Sequence, residues 1–158
     1  MEYLIRRAEV ADAPGACEAV RQSIAELCIE DHRGDEATIA AWLSNKTLQN
    51  VASWISSPSN IAAVAEATVG IVGFALLCQP GTLALLYVSP GARFHGVSKR
   101  LLAFLESEAS RLGIREIRLE STATARRFYA GRGFSPVGEP SLAFGTVVSY
   151  PMWKGLSP

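Results

Sequence analysis

Three apolar stretches follow one another in the middle of the chain and restrict what it can fold into. Residues 61–67, 69–78 and 82–88 are almost continuously apolar, and Gln79-Pro80-Gly81 joins the last two as a turn sequence. None approaches the roughly 18–20 residues that a membrane-spanning helix needs. Short strands of this kind are typical of a sheet that is covered on both faces. The rest of the chain must therefore supply two covering layers.

The first sixty residues predict one strand and three helices. Residues 4–8 predict an opening strand, and Asp12 is expected to cap a helix that ends in the polar stretch 30–35. Asp35 and Thr47 are expected to cap two shorter helices. The apolar residues at helical spacing are Cys17, Val20, Ile24, Leu27 and Cys28, then Ile39, Trp42 and Leu43, and finally Val51, Trp54 and Ile55.

The second half of the chain alternates helices and strands. A long helix is predicted from about Gly96 to Gly113, and a shorter one from Thr122 or Ala123 to about Gly131. Strands are predicted at 114–120, 134–137 and 147–152. This order of elements predicts an α/β fold of the mixed, α+β type, in which helices flank one central mixed β-sheet. We expect a single domain over residues 1–158.

Charge and cysteine usage argue against several classes of protein. The 15 basic and 15 acidic residues give a net charge of zero, which argues against a nucleic-acid partner. Cys17, Cys28 and Cys78 form no CxxC pair, so no metal site is expected. The first two are predicted to be buried apolar residues, and Cys78 is the main candidate for a reactive thiol. The first seven residues lack the order of a secretory signal, so we predict a cytoplasmic protein without a membrane partner.

A strand–turn–helix segment at residues 86–102 predicts a phosphate site. The strand ends at Val88 and the helix begins near Gly96, where free N–H groups and a partial positive charge attract anions. Gly96 and the small Ser98 leave room for a phosphate, and Arg93 and Lys99 can add charged hydrogen bonds. The glycines of a dinucleotide loop are missing, and no Gly-Lys-Ser/Thr sequence of a Walker loop occurs. Taken alone, the segment fits equally well a helix start that holds no ligand.

Two motifs together indicate a family. Val88-x-Pro90-x-x-Arg93-x-x-Gly96-Val97-Ser98 resembles the pyrophosphate loop of the GNAT N-acetyltransferases, with Ser98 in place of the usual Gly or Ala. About thirty residues later, the segment 119–134 resembles a second GNAT signature, in which Ala125 precedes Phe128-Tyr129 and Gly133-Phe134 closes the motif. Thr122 stands where members of the family often have asparagine.

The resemblance implies acetyl-CoA as co-substrate and a role for each motif. The end of strand 82–88 would pair with the pantetheine arm, and a backbone N–H near Val88 would stabilise the oxyanion. Tyr129 would be the general acid for the thiolate, because a phenol of pKa about 10 has similar basicity. The predicted cofactor-binding residues are Tyr87, Val88, Arg93, Phe94, His95, Gly96, Val97, Ser98, Thr124 and Phe128.

The general base and the acceptor site are less determined. Many relatives carry a glutamate on the strand that corresponds to 82–88, and this chain has none there. Candidate replacements are Glu66, Glu26, His32 or a chain of waters, although His32 is also typical of a solvated loop. Arg126 and Arg127 fit either the 3′-phosphate of coenzyme A or a solvated helix face. The candidate residues for binding a cationic acceptor are Glu30, His32, Trp42 and Tyr150, with Trp54 and Trp153 nearby. The alternative is that the tryptophans are ordinary core residues and that the acidic stretch is a solvated loop.

Three functions are compatible with these motifs. The first is transfer of an acetyl group from acetyl-CoA to a primary amine of a small molecule or peptide by direct attack. The second is a catalytically silent module of the same fold that binds or senses acyl-CoA. The third is a phosphate binder on an unrelated α/β fold. The resemblance is also compatible with a homodimer that pairs through the strand at 147–152.

Overall fold

The computed structural model describes residues 1–157. They form eight strands and six α-helices, in addition to two short 3₁₀ turns at Val10–Asp12 and Pro90–Ala92. The strands are β1 Tyr3–Arg7, β2 Asn60–Ala67, β3 Gly70–Cys78, β4 Thr82–Val88, β5 Glu116–Ser121, β6 Ser135–Pro136, β7 Ser141–Ala143 and β8 Val147–Gly155. The helices are α1 Ala13–Leu27, α2 Ile29–His32, α3 Glu36–Leu43, α4 Leu48–Ser56, α5 Val97–Arg111 and α6 Arg126–Gly131.

All eight strands join one mixed sheet, as predicted. Its order is β1-β2-β3-β4-β5-β8-β6, and β7 also pairs with β8. Neighbours are antiparallel except for β4 and β5, which run parallel and are connected through α5. Helices α1 and α4 pack against one face and α5 against the other, so the prediction of a sheet covered on both faces is confirmed.

A β-bulge in β4 separates the two parallel strands. Leu77 pairs with Leu83 and Leu76 with Leu85, which leaves Ala84 as the extra residue. A bulge bends its strand and increases the local twist. The β4–β5 register accordingly consists of Thr82–Arg118 and Leu83–Leu119. Beyond that point, residues 84–88 of β4 keep β3 on one side and have an open edge on the other.

Close packing and one ion pair fix α5 on the sheet. A Cβ on Gly73 of β3 would lie 2.9 Å from Leu101 Cδ1 and 3.1 Å from Val97 Cγ1, so glycine lets the start of α5 approach the strand. Further along the helix, the ammonium of Lys154 on β8 lies 2.9 Å from a carboxylate oxygen of Glu106. The helix therefore contacts both sides of the gap between β4 and β5.

Two of the three predicted helix caps are present, and the third is lost to a residue of another element. Asp35 and Thr47 do cap α3 and α4, accepting from the amides of Thr38 (2.9 Å) and Asn50 (3.1 Å). Asp12 makes no side-chain cap, because its carboxylate accepts two 2.8 Å hydrogen bonds from Arg6 of β1. The polar stretch 30–35 holds the short α2, and the hairpin strand β7 was not predicted.

Two further boundaries differ from prediction. Helix α6 begins at Arg126 instead of Thr122 or Ala123, because Thr122 forms a turn before it, in which its hydroxyl accepts from the amide of Ala125 (3.3 Å). Strand β6 is reduced to two residues. In the part of the chain that the structure describes, every helix is too short or too polar to cross a bilayer.

Candidate active site

The gap between β4 and β5 opens into a cleft of about 500 Å³. Its walls come from β4, the loop and first turn of α5, the end of α1, and the segment from β5 to α6. The lining residues are Ser23, Leu27, Cys28, Leu83, Ala84, Leu85, Leu86, Tyr87, Val88, Ala92, Arg93, Phe94, Gly96, Val97, Ser98, Lys99, Glu120, Ser121, Thr122, Thr124, Ala125, Phe128 and Tyr129.

The open edge of β4 offers backbone hydrogen-bonding groups to the cleft. The amide of Ser89 donates to the carbonyl oxygen of Val72 on β3 (2.8 Å). Successive residues of an antiparallel strand direct their N–H groups to opposite sides. The amides of Val88 and Leu86 therefore point away from β3, toward the open edge. They can pair with an extended ligand or stabilise an oxyanion.

The start of α5 forms an anion site at the other wall. Gly96 adopts a left-handed conformation with φ of 74°, and the first helical hydrogen bond runs from Arg100 to its carbonyl oxygen (3.1 Å). The amides of Val97, Ser98 and Lys99 therefore have no acceptor within the helix. These amides, the helix dipole and the side chain of Lys99 make this wall suitable for a pyrophosphate.

The first strand of the sheet supports this loop. The hydroxyl of Tyr3 donates to the carbonyl oxygen of His95 (2.8 Å), and the guanidinium of Arg100 lies 4.8 Å from the centre of the Tyr3 ring. His95 itself does not line the cleft, so its backbone is the part that shapes the loop. Phe94 has a positive φ of 65° and its side chain is 91% exposed beside Arg93. The contribution of Tyr3 had no signal in the sequence, because it lies 92 residues from His95.

Tyr129 of α6 packs against two aromatic rings at the cleft. Its ring meets Phe128 and Phe134 edge to face, with centroids 5.3 and 5.5 Å apart. Its hydroxyl makes no hydrogen bond to another residue within 1–157, although it belongs to a residue that lines the cleft. Burial raises the pKa of Tyr129, so the phenol is protonated at neutral pH. The side chain can therefore donate a proton to a group in the cleft.

The first helices are tied to the Tyr129 segment by Asp31. This buried carboxylate on α2 accepts hydrogen bonds from the hydroxyl of Thr124 and from its amide (3.3 Å). Thr124 was predicted as a cofactor-binding residue, and it does line the cleft. Asp31 belongs to the acidic stretch that the sequence suggested as solvated or acceptor-binding. It was missed as an individual residue because its partner is 93 positions away.

Tyr87 and Cys28 form the wall of the cleft on the α1 side. The phenolic oxygen of Tyr87 accepts from the indole nitrogen of Trp42 (3.2 Å), and burial raises the pKa of Tyr87. Burial also raises the pKa of the Cys28 thiol to about 12, so the thiol stays neutral. Cys17 and Cys28 are buried apolar residues, as predicted. Cys78 is half-buried with a raised pKa and does not line the cleft.

The candidate acceptor residues lie outside the cleft wall. Trp42 is buried behind Tyr87 and stacks on Phe144 at 5.3 Å, while the guanidinium of Arg126 lies over the Tyr150 ring at 4.0 Å. Glu30 is exposed on α2. Their roles in binding an acceptor remain predictions.

His32 is not a solvated loop residue, and that expectation is wrong. The side chain is 2% exposed, because α2 turns it inward. One ring nitrogen bonds to the carbonyl oxygen of Ile24 (2.9 Å) and the other accepts from the amide of Gly34 (3.0 Å). Glu66, another candidate base, is paired with Arg6 (3.1 Å), and Glu26 is exposed away from the cleft.

Glu120 is the acidic side chain that sequence reasoning overlooked. Among residues 1–157 it is the single carboxylate in the cleft wall. The buried hydroxyl of Ser149 on β8 donates to one of its carboxylate oxygens (2.6 Å). A signal was present: Ile117 and Leu119 alternate on one face of β5, which assigns Glu120 to the opposite face.

Comparison with known proteins identifies the family of this fold. A family model described as the acetyltransferase (GNAT) domain matches residues 28–156. The chain belongs to the GNAT acetyltransferase family. The match runs from α2 to β8 and includes both motifs and every cleft-lining residue except Ser23 and Leu27. A search among curated proteins gave no match to this GNAT chain.

Solved structures share the fold of this GNAT domain at low sequence identity. The GCN5-related N-acetyltransferase of Rhodopseudomonas palustris is 23% identical, with a TM-score of 0.86 over 99% of this chain and 97% of that one. The PaiA N-acetyltransferase of Thermoplasma acidophilum, solved with coenzyme A, is 23% identical, with a TM-score of 0.80 over 98% and 99%. YncA of Salmonella typhimurium, solved with acetyl-CoA, is 20% identical, with a TM-score of 0.77 over 100% and 96%.

Proposed function

We propose that this chain transfers an acetyl group from acetyl-CoA to a primary amine by direct attack. The observation that carries the proposal is the cleft itself, in which an open strand edge, a helix N-terminus and a buried tyrosine meet. These three features match the three parts of an acyl thioester of coenzyme A: the extended pantetheine arm, the pyrophosphate and the thiol. Coenzyme A or acetyl-CoA in two of the solved neighbours supports the same co-substrate.

Each wall of the cleft has a task in this reaction. The amides of Val97, Ser98 and Lys99 bind the pyrophosphate, and the open edge of β4 aligns the pantetheine. The outward amide of Val88 stabilises the charge that develops on the carbonyl oxygen as the amine attacks. The phenol of Tyr129 protonates the departing thiolate. Its raised pKa is compatible with this task, because the same buried surroundings disfavour the thiolate anion.

The balance of the reaction is one amide formed for one thioester cleaved. The nitrogen lone pair attacks the carbonyl carbon, the carbon–sulfur bond breaks, and the thiolate takes the proton of Tyr129. The attacking nitrogen becomes positively charged and loses one proton as the amide forms. This proton returns to Tyr129. Much of the rate enhancement comes from holding the two reactants in contact.

Calorimetry followed by a thiol assay tests the proposal. Acetyl-CoA is titrated into the protein, and a panel of alkylamines, diamines, free amino acids and peptides with a free α-amino group is then added while free thiol is measured. We expect binding and thiol release with at least one amine. In Tyr129→Phe we expect unchanged binding and a rate lowered by roughly 10²-fold or more.

The silent acyl-CoA-binding module is the second candidate. It is favoured by one observation, that β4 carries no carboxylate. Tight binding of acetyl-CoA without thiol release from any amine of the panel would support it over the enzyme. A failure to bind acetyl-CoA would contradict both. The GNAT fold rules out the third alternative, a phosphate binder on an unrelated α/β fold.

A further inference from the structure

We infer that Glu120 of β5 is the general base that deprotonates the acceptor ammonium, with Ser149 as its positioning residue. This inference rests on the proposed function. An alkylamine is protonated at neutral pH and cannot attack until it loses a proton. The strand on which relatives carry a glutamate, β4, has none here. The structure places a carboxylate on the neighbouring strand instead.

The register of the sheet puts Glu120 beside the gap. Thr82 pairs with Arg118 and Leu83 with Leu119, so the next residues along this parallel register are Ala84 and Glu120. Ala84 is the bulged residue of β4, and its small, exposed side chain leaves space in front of β5. Glu120 therefore stands at the first position where the two strands separate, and it lines the cleft that the separation creates.

The two faces of the sheet separate the acid from the base. Tyr129 packs in the apolar cluster on the α5 face, with Ile117 and Leu119 of β5. Glu120 alternates with these two residues and belongs to the opposite face. The coenzyme phosphates and the thiol would lie on the α5 side, so an amine that approaches from the α1 side meets Glu120 before it reaches the thioester. A base on the side of the nucleophile and an acid on the side of the leaving group suit direct attack.

Ser149 fixes the direction of the carboxylate. Its hydroxyl is buried on β8 and donates to Oε2 of Glu120 at 2.6 Å, which leaves Oε1 to accept a proton. In the proposed step, one N–H bond of the ammonium breaks and its proton moves to the carboxylate of Glu120. The freed lone pair attacks the thioester, and Glu120 releases the proton to solvent after the product leaves.

Glu120→Gln tests the inference, with Glu116→Gln as the matched control. Glu116 lies on the same strand and the same exposed face but outside the cleft, paired with Arg118. Three quantities are measured: the affinity for coenzyme A, kcat and KM with the best alkylamine of the panel, and the rate with hydroxylamine, which is already uncharged at neutral pH. The alkylamine rates are measured from neutral to alkaline pH.

For Glu120→Gln we expect unchanged coenzyme A affinity and a kcat for the alkylamine lowered by roughly 10²-fold or more. The deficit should shrink as pH rises and uncharged amine becomes available, and the rate with hydroxylamine should stay close to that of the native protein. Ser149→Ala should lower kcat without changing KM for acetyl-CoA, and Ser149→Thr should restore it. Glu116→Gln should behave as the native protein in every assay.

Several results would overturn the inference. An alkylamine rate within a few-fold of native in Glu120→Gln would exclude a base, and an equal loss with hydroxylamine would indicate a structural role. Loss of coenzyme A binding in Glu120→Gln would likewise point to damage of the cleft. Failure of the proposed function looks different: the native protein itself would then release no thiol with any amine, and Glu120 would have no acceptor to deprotonate.

Discussion

The hydroxyl of Tyr3 lies 2.8 Å from the carbonyl oxygen of His95, so the first strand of the sheet holds the loop that precedes α5. The bond joins two residues that are 92 positions apart in the sequence. It also shows how the anion site is kept in shape. The loop contains two left-handed residues, Phe94 and Gly96, which need support from outside the loop.

We predict that Tyr3→Phe weakens coenzyme A binding. The substitution removes one neutral hydrogen bond, which contributes about 1 kcal/mol, and so should lower the affinity by roughly three- to tenfold. The aromatic ring remains, so the contact with Arg100 and the stability of β1 should change little. Calorimetry gives the affinity and thermal unfolding gives the control. An unchanged affinity would mean that the loop holds its shape without Tyr3.

Gly73→Ala is predicted to disturb the anion site from the other side of the helix. A methyl group there would meet Leu101 and Val97, and overpacking of this kind costs about 1–3 kcal/mol. The start of α5 would have to move away from β3, and coenzyme A affinity should fall with stability. Gly91→Ala is the matched control, because a Cβ at Gly91 meets nothing within 4 Å. If both variants bind alike, the close approach at Gly73 has no bearing on the site.

The bond between Asp31 and Thr124 should couple α2 to the Tyr129 segment. Asp31→Asn and Thr124→Val each remove part of it, and the double variant should lose less than the sum of the two. We expect a coupling energy of about 1 kcal/mol in unfolding free energy, with a parallel fall in kcat. A denaturant-unfolding cycle with kinetics for all four proteins measures both. Additive losses would show that the two residues act independently.

Lys46→Met is predicted to raise the stability of the protein. Lys46 is 5% exposed as a residue, and desolvation lowers its pKa from 10.5. Its ammonium bonds to the side chain of Asn45 and lies over the Phe144 ring. An apolar side chain of similar size avoids burying that charge, for a gain of about 1 kcal/mol at neutral pH. Lys154→Met, which removes a paired lysine, should instead lower stability.

The pH dependence of this difference has a defined sign. Between the lowered pKa of folded Lys46 and 10.5, the unfolded chain binds more protons than the folded one. The stability of the native protein therefore rises with pH in that window, relative to Lys46→Met. Unfolding at several pH values should show the gap between the two proteins closing toward pH 10.5. A gap that widens with pH would contradict the burial of a charged Lys46.

The central strands and both motifs could be recognised in the sequence, because the signal for each is contiguous. The strands at 61–67, 69–78 and 82–88 were recognised from apolar runs alone, and the caps at Asp35 and Thr47 from residue type at a helix start. Tyr129 and the loop at Gly96 were recognised by resemblance. In the structure both line the same cleft, while their catalytic and binding roles remain proposals.

The features that sequence could not supply depend on contacts between different elements of the fold. Asp12 has the residue type of a cap, yet Arg6 takes its carboxylate. His32 looks like a loop residue until α2 turns it beneath Ile24. Glu120 lines the cleft because β4 and β5 separate at the bulge at Ala84. The sequence of β5 carries no signal for a bulge in another strand. Cytoplasmic location, the single domain and a dimer remain predictions.

The ion pair between Glu106 and Lys154 also has a consequence for how the protein responds to its surroundings. It joins α5, which packs on β1–β4, to β8, which lies beyond the gap. Strands β4 and β5, on the two sides of the gap, are paired at two positions. Both side chains are about a fifth to a quarter exposed, so dissolved ions can screen their attraction. Raising the ionic strength of the medium should therefore weaken this polar connection between α5 and β8, while the apolar contacts between them stay in place.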